Sequence, residues 1–448
     1  MRNSTFMAIG IGILLRIVVS FGVLASLGQA DDGPSFVRQA TEMLQGTIGY
    51  YYFPPGTAFM TVPIYAVLGP GAASDHLVGT LCSIALLLST VFLAQTLTGW
   101  GRTTLITAWI AALYPHTVLA STQLSSHILA ATLVTTAATL AIRNGSAWSW
   151  ARWAGVGLCM AGALITRPAT ATFFLVLAIG GIVILRRRTI APATAVGAAA
   201  LVVLAAAAAL LPVTSHNAAH GHGYAISTNN EWNVFLGNTP YTPDYKTGHF
   251  GQRDFAQLDS ASREYLRRYL PHESPYAATR EERMAMAAAA SDYIVAHPWR
   301  TLYRAANRIR GYWGMDYTMS RMLQNAFGLS TSAFLPLLAL EGGAYCLIVL
   351  LALSAPFLVD RPLGGQGRFL LAGVVLGMVP YVLAFALAKY HVSAIPVIMV
   401  AAGAAVHALR ERPADAWATL RSRPLWWVLV AGFVALQTEH LYHLVRLR

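Results

Sequence analysis

Apolar residues run along this chain in long blocks separated by short polar links. Blocks of about 17 to 25 residues, the length an α-helix needs to cross a bilayer, fall near 5–27, 75–98, 104–121, 124–142, 151–166, 168–186, 190–212, 331–358, 369–388, 391–409 and 424–445. A further stretch, TAFMTVPIYAVLGPGA at 57–72, is apolar but shorter and holds Pro63 and Pro70, so it predicts an interfacial or re-entrant helix rather than a span. The pattern therefore predicts an all-α polytopic membrane protein with about eleven transmembrane helices. One long stretch, 213–330, is polar enough for a soluble subdomain. Within it, TREERMAMAAAASDYIVAHPWRTLYRAANRIRGYW predicts one or two helices broken at His297-Pro298, because a residue before proline is steered out of the helical region.

Composition agrees: 56% of the 448 residues are hydrophobic and 11% charged, with a mean hydropathy of +0.52, against about 25% charged in soluble domains. The net charge of +12 could suggest nucleic acid, but its arginines sit in short links between apolar blocks. If 57–72 does not cross, Arg102, Arg143 with Arg152, Arg186 to Arg188, Arg361 with Arg368, and Arg410 through Arg423 fall on one side, the cytoplasmic one. The basic balance thus describes topology. Cys82, Cys159 and Cys346 lie in apolar stretches without metal-site spacing. A charged start, an apolar run and GQA before Asp31 also fit a cleavable secretory signal. The length of that run, and Arg16 within it, favour a first transmembrane helix, with Arg16 as a packing cation.

This topology divides the chain into a membrane module at 1–212, including a first outer loop at 28–74, an extracytoplasmic loop region at 213–330, and C-terminal membrane helices at 331–448. The outer face then carries Asp31 and Asp32, the corner Ser121–His127, Arg167 in TRP, and Lys389 in AKYH. PSFVRQATEML after the carboxylates sets Phe36, Val37, Ala40, Met43 and Leu44 on one face, with Arg38 and Glu42 paired on another. It predicts an amphipathic surface helix that Asp32 would cap. A helix N-terminus favours an ionised carboxylate, the form a general base requires. In STNNEWNVFLGNTP, Asn229, Asn230, Trp232, Asn233 and Asn238 offer amides beside an indole, which suits a sugar's hydroxyl edge and apolar face, or else a hydrogen-bonded turn. His216, His220 and His222 lack the glutamate of a zinc-hydrolase helix, and Gly221 and Gly223 predict a loop. No phosphate-cradling GxxxxGK[ST] motif is present, against direct use of a nucleoside triphosphate.

In order along the chain, DDGPSFVRQATEMLQGTIGYYYFPPGTAFMTVPIYAVLG, LCMAGALITRPATATFFLV, STNNEWNVFLGNTP, AAASDYIVAHPWR and AKYHVSAIPVIMVAAG resemble the GT-C membrane glycosyltransferases of the protein-mannosyltransferase and aminoarabinose-transferase type. The resemblance implies a GT-C fold. It also implies inverting transfer of a hexose or pentose from a polyprenyl-phosphate donor to a lipid, polysaccharide or protein acceptor on the outer face. Asp32 matches the family's loop carboxylate, with Phe36 four residues on, and takes the base role. Asp31 takes a supporting or metal-facing role, and the two could be exchanged. Arg167, Lys389, Tyr390 and His391 would hold the donor phosphate, and the asparagines with Trp232 the sugar or acceptor. No cofactor is certain: the acid many relatives place near Ser121–His127 is missing, although His127 with Asp31 could ligate a divalent cation. FPP at Phe53–Pro55 stands where the aminoarabinose subgroup has EKP. A transporter or flippase of lipid-linked saccharides is the alternative, expecting midplane charges, for which Arg16 is the main candidate. Alanine- and arginine-rich usage suggests a GC-rich bacterial source, hence a plasma-membrane location.

Overall fold

A computed structural model describes residues 1–143, 150–175, 192–245, 258–359 and 364–446. The 168–186 block beyond residue 175, the start of the 190–212 block, the triple-arginine link and Arg361 lie outside the described residues. Helix α1, Arg2–Ile17, continues into a wider π-type turn at Val18–Val23. Thr5, Ala8, Gly12 and Arg16 form its buried stripe. A methyl on Gly12 would lie 2.9 Å from Ala112 Cβ, so only a hydrogen there allows this approach. Next come two 13-residue helices, α2 at Gly33–Gln45 and α3 at Gly56–Leu68, each too short to cross a bilayer. They pack through Ala40, Ala58 and Tyr65. Arg38 does not pair along α2 with Glu42. Its guanidinium lies over the Tyr276 ring, 5.5 Å from the centroid.

The 27-residue α4, Ala72–Thr98, is followed by α5, Arg102–Leu113, and α6, Pro115–Leu119, bent from α5 by 51°. Pro115 has no N–H to give Ala111, so the bend frees carbonyls inside the bundle. Arg16 supplies the missing donors: Nη2 reaches the Ala111 carbonyl at 3.1 Å and Nη1 that of Ala112 at 3.2 Å. It also binds Ser83, Thr117 and the Gly12 carbonyl. Each group left unsatisfied would cost about 1–3 kcal/mol, so this fully buried cation holds a broken helix together. Helices α7, Ser126–Ile142, α8, Trp150–Thr166, and α9, Pro192–Ala219, complete this half. Helix α9 continues through Pro212, past the expected end of its block.

The polar region has a core of its own. Helices α10, Asn230–Gly237, α11, Ser260–Arg267, and α12, Arg280–Ala296, enclose Phe235, Leu266, Met286 and Ala290. A capping box between Thr279 and Glu282 starts α12, and His297 ends it before α13, Pro298–Tyr312. Arg308 on α13 donates to the carbonyls of Val382 at 2.8 Å and Leu383 at 3.1 Å, tying this region to the bundle. After α14, Thr318–Phe327, the membrane helices resume as α15, Thr331–Leu358, α16, Gly364–Gly377, and α17, Val379–Leu383. A 3₁₀ turn at Ala388–Ala394 then feeds α18, Ile395–Glu411, followed by α19, Pro413–Arg421, and α20, Pro424–Arg446.

Among the described residues five helices are long and apolar enough to cross a membrane, or six with the bent α5–α6 pair as one span. The chain is thus a multi-pass, all-α protein, but length and apolarity alone do not support a count of eleven. Breaks at proline divide apolar blocks such as 104–121 into pieces too short to span alone, and α7, at 17 residues, stands at the lower limit of spanning length.

Candidate active site

The two adjacent carboxylates sit where α1 hands over to α2. Two glutamines fix that corner by reciprocal bonds. Gln29 donates to the Thr122 carbonyl at 3.1 Å and accepts from Leu124 N–H at 2.7 Å, while Gln123 accepts from Ala30 N–H at 2.8 Å and donates to the Gly28 carbonyl at 3.1 Å. The chain then turns through Asp31, whose φ of 54° lies in the left-handed region that few non-glycine residues adopt. Asp32 occupies the N-cap position of α2, but its side chain makes no capping bond. Its carboxylate faces Lys389 instead, at 3.7 Å. Lys389 hydrogen-bonds Asp31 directly. The lysine is thus committed to the carboxylates, one tightly and one loosely, and Asp32 keeps the freer oxygens.

Arg167 owes its position to Pro168, which ends α8 and holds Arg167 extended at φ −150°, ψ 102°. Its Nη1 donates to Ser126 Oγ and to His127 Nε2, both at 3.0 Å, and Nε donates to the Tyr381 hydroxyl at 3.3 Å. The Tyr390 ring lies 5.1 Å from the guanidinium carbon. Of the five guanidinium N–H groups, the two on Nη2 have no hydrogen-bond partner among the described residues. A fixed cation with a free pair of donors can accept an anion.

Two cavities meet at the carboxylates. One, of about 600 Å³, is lined by Gln123, His127, Arg310, Arg321, Met322 and His440. The other, of about 860 Å³, is lined by Arg167, Tyr381, Tyr390, Asn229, Asn230, Trp232 and Asn233. Asp31, Asp32, Phe36, Ser126, Leu387 and Lys389 border both. The larger cavity has an aromatic wall in which Tyr52 packs on Tyr276 with ring centroids 4.5 Å apart. Burial first, then Tyr276 and Tyr50, push the Tyr52 phenol well up, so it remains a protonated donor.

Two expected site residues face elsewhere. Asn238 is buried at the end of α10 and donates to the carbonyls of Val234 at 2.9 Å and Leu383 at 2.8 Å, so it docks the loop. His391 is wholly buried, with Nδ1 2.8 Å from the Tyr312 carbonyl, and lines neither cavity. Successive residues of a 3₁₀ turn point about 120° apart, which separates it from Lys389 and Tyr390. His127 Nε2 accepts from Arg167 at 3.0 Å, and Asp31 Oδ2 accepts from Lys389. Of the other histidines, His216 is helical, its ring 4.4 Å from that of His220, and His222 Nδ1 accepts from Arg283 at 2.8 Å. Sequence reasoning did not single out Ser126, Tyr381, Tyr276 or the two glutamines. An aromatic such as Tyr381 near the end of an apolar block is a signal that could have pointed to that wall.

Comparison with solved structures places 96% of this chain on 54% of the apo crystal structure of the Archaeoglobus fulgidus oligosaccharyltransferase, at 12% identity and a TM-score of 0.53. The chain thus spans about half the length of that protein. The apo crystal structure of ArnT from Cupriavidus metallidurans aligns over 86% of this chain and 74% of its own, at 15% identity and a TM-score of 0.36. No family model matches the sequence, and no curated protein does. The fold is that of the GT-C membrane proteins.

Proposed function

We propose that this chain is an integral membrane glycosyltransferase that moves a sugar from a polyprenyl-phosphate carrier to an acceptor hydroxyl or phosphate on the extracytoplasmic face, inverting the anomeric carbon. The observation that carries the reading is the meeting of two cavities at Asp31, Asp32 and Lys389. A single displacement needs the acceptor on one side of a base and the donor on the other.

The larger cavity takes the donor. Its phosphate lies at the free Nη2 of Arg167, with the Tyr381 and Tyr390 hydroxyls near, and its sugar lies against Trp232 and the amides of Asn229, Asn230 and Asn233. The smaller cavity takes the acceptor. Asp32, 3.7 Å from Lys389, accepts the acceptor's proton while the acceptor oxygen attacks the anomeric carbon. The C–O bond to phosphate breaks, and the departing dianion gathers charge against Arg167. No general acid is required, because the leaving group is already a stable anion. Asp31 and Lys389 hold each other and set the position of Asp32. A divalent cation at this corner would share Asp31 with Lys389, which holds its Oδ2. The arginine bias of the opposite links sets the orientation in a bacterial plasma membrane.

The test is purified protein in nanodiscs with radiolabelled polyprenyl-phosphate hexoses and pentoses and a panel of lipid, polysaccharide and protein acceptors. Transfer of label that requires Asp32 and Arg167 supports the reading. Movement of the lipid across the bilayer without transfer would favour a transporter, for which Arg16, fixed at the α5–α6 break, supplies no mobile charge.

A further inference from the structure

Away from the carboxylate corner, the bundle buries a second group of ionisable side chains. His116 on α6, Asp316 in the link before α14, and Glu341 on α15 are 4%, 1% and 1% exposed. One ligand atom from each lies within 4.8 Å of the other two. His116 Nδ1 is 2.9 Å from Glu341 Oε1 and 3.4 Å from Asp316 Oδ2. Ligands around a tetrahedral zinc ion, at bonds of ~2.0–2.1 Å, stand roughly 3.3 Å apart, so the spacing is that of a coordination sphere.

The surroundings orient each carboxylate toward that centre. Thr318 donates its N–H at 2.9 Å and its hydroxyl at 2.6 Å to Asp316 Oδ1, while Oδ2 has no hydrogen-bond partner. Ser320 donates its N–H at 2.7 Å and its hydroxyl at 2.6 Å to Glu341 Oε2, turning Oε1 inward, where Met319 N–H also reaches it at 3.2 Å. Outer hydrogen bonds of this kind hold metal ligands in place. Nearby stands His391, close enough to feel the charges of Asp316 and His116. Its Nδ1–H donates to the Tyr312 carbonyl, which leaves Nε2 a bare lone pair, and that atom is buried without a partner.

Charge points the same way. One imidazolium against two carboxylates leaves a net negative charge in the bundle interior, which is strongly unfavourable unless compensated. Arg16 binds the adjacent Thr117, but its hydrogen bonds go to hydroxyls and carbonyls and none to these carboxylates. A divalent cation with a neutral imidazole brings the cluster to zero.

We propose that His116 Nδ1, Asp316 Oδ2 and Glu341 Oε1 bind one divalent metal ion of the zinc type, a nitrogen and oxygen set suited to it. Asp316 also lines the smaller cavity, which gives the ion a route in. The ion clamps three elements distant in sequence and fixes the Asp316–Thr318 wall of that cavity. It is a positioning site, and it does not depend on the glycosyl-transfer reading.

Purified full-length protein, stripped with chelator, reloaded with Zn²⁺ and desalted, is measured for metal per chain, and Co²⁺ loading is followed by visible absorption. Wild type should retain one equivalent and give the intense bands of low-coordinate Co²⁺. Asp316→Asn and Glu341→Gln should lower affinity by at least ~100-fold, beyond the ~10–100-fold expected from losing an outer hydrogen bond. Asp31→Asn and His127→Ala should retain the ion. Failure of the wild type to hold a stoichiometric ion overturns the proposal even if the variants do not fold. So does wild-type affinity in both Asp316→Asn and Glu341→Gln, or loss of the ion in Asp31→Asn.

Discussion

Replacing Arg167 by lysine keeps the charge and removes the fork. Arg167 is held by three hydrogen bonds, at 3.0, 3.0 and 3.3 Å to Ser126, His127 and Tyr381, and lines the larger cavity with Nη2 unbonded. An ammonium has three donors on one atom. It cannot meet those three acceptors and a phosphate together, so the cation either stays with its anchors or leaves them for the donor. Loss of one preorganised donor at developing negative charge costs about 10²–10³ in kcat, or ~2.7–4 kcal/mol. Arg167→Lys should therefore lower kcat by that factor in the nanodisc assay, while donor affinity falls less, because the charge persists. Thermal stability measured alongside separates this from loss of the Ser126 and His127 anchors. An unchanged kcat in a folded Arg167→Lys enzyme would refute the reasoning, since a point charge would then suffice.

Gly237→Ala should lower thermal stability and weaken donor binding together, because its methyl would clash with the Ala384 carbonyl oxygen at the joint that carries α10; strain from overpacking of this kind typically costs ~1–3 kcal/mol. Arg16→Leu should lower the melting temperature, since it strands the Ala111 and Ala112 carbonyls at about 1–3 kcal/mol each. Trp232→Ala should raise KM for the donor more than it lowers kcat, as read from initial rates, because in the proposed donor placement the indole lining the larger cavity would meet the sugar in ground and transition state alike.

Much of this was legible in the sequence because membrane residence imposes long apolar blocks and leaves few polar corners. The corner carboxylates, Arg167 and Lys389 stood out as charges at block ends, and the structure brings all four to one place. Direction within a turn was not legible. His391 sits beside Tyr390, which lines the larger cavity, yet faces inward, since a one-residue step rotates a side chain by a third of a 3₁₀ turn; Asn238, at the end of α10, turns to the Val234 and Leu383 carbonyls. Asp32 was expected to cap α2, a local bond; a distant lysine competes for the same carboxylate. The His116, Asp316 and Glu341 cluster joins three remote segments, so no spacing in the chain announces it. Nor did the apolar blocks reveal the proline-broken α5–α6 pair as something Arg16 would have to repair.

The central claim is that Asp32 removes the acceptor proton while Asp31 and Lys389 hold it in place. Single-turnover transfer from radiolabelled polyprenyl-phosphate sugar, measured on Asp32→Asn, Asp31→Asn and wild type with donor binding checked separately, tests it most directly. The prediction is a loss of ~10²–10⁴ in rate for Asp32→Asn with donor binding intact, and a smaller loss for Asp31→Asn. Transfer at the wild-type rate by Asp32→Asn would contradict it.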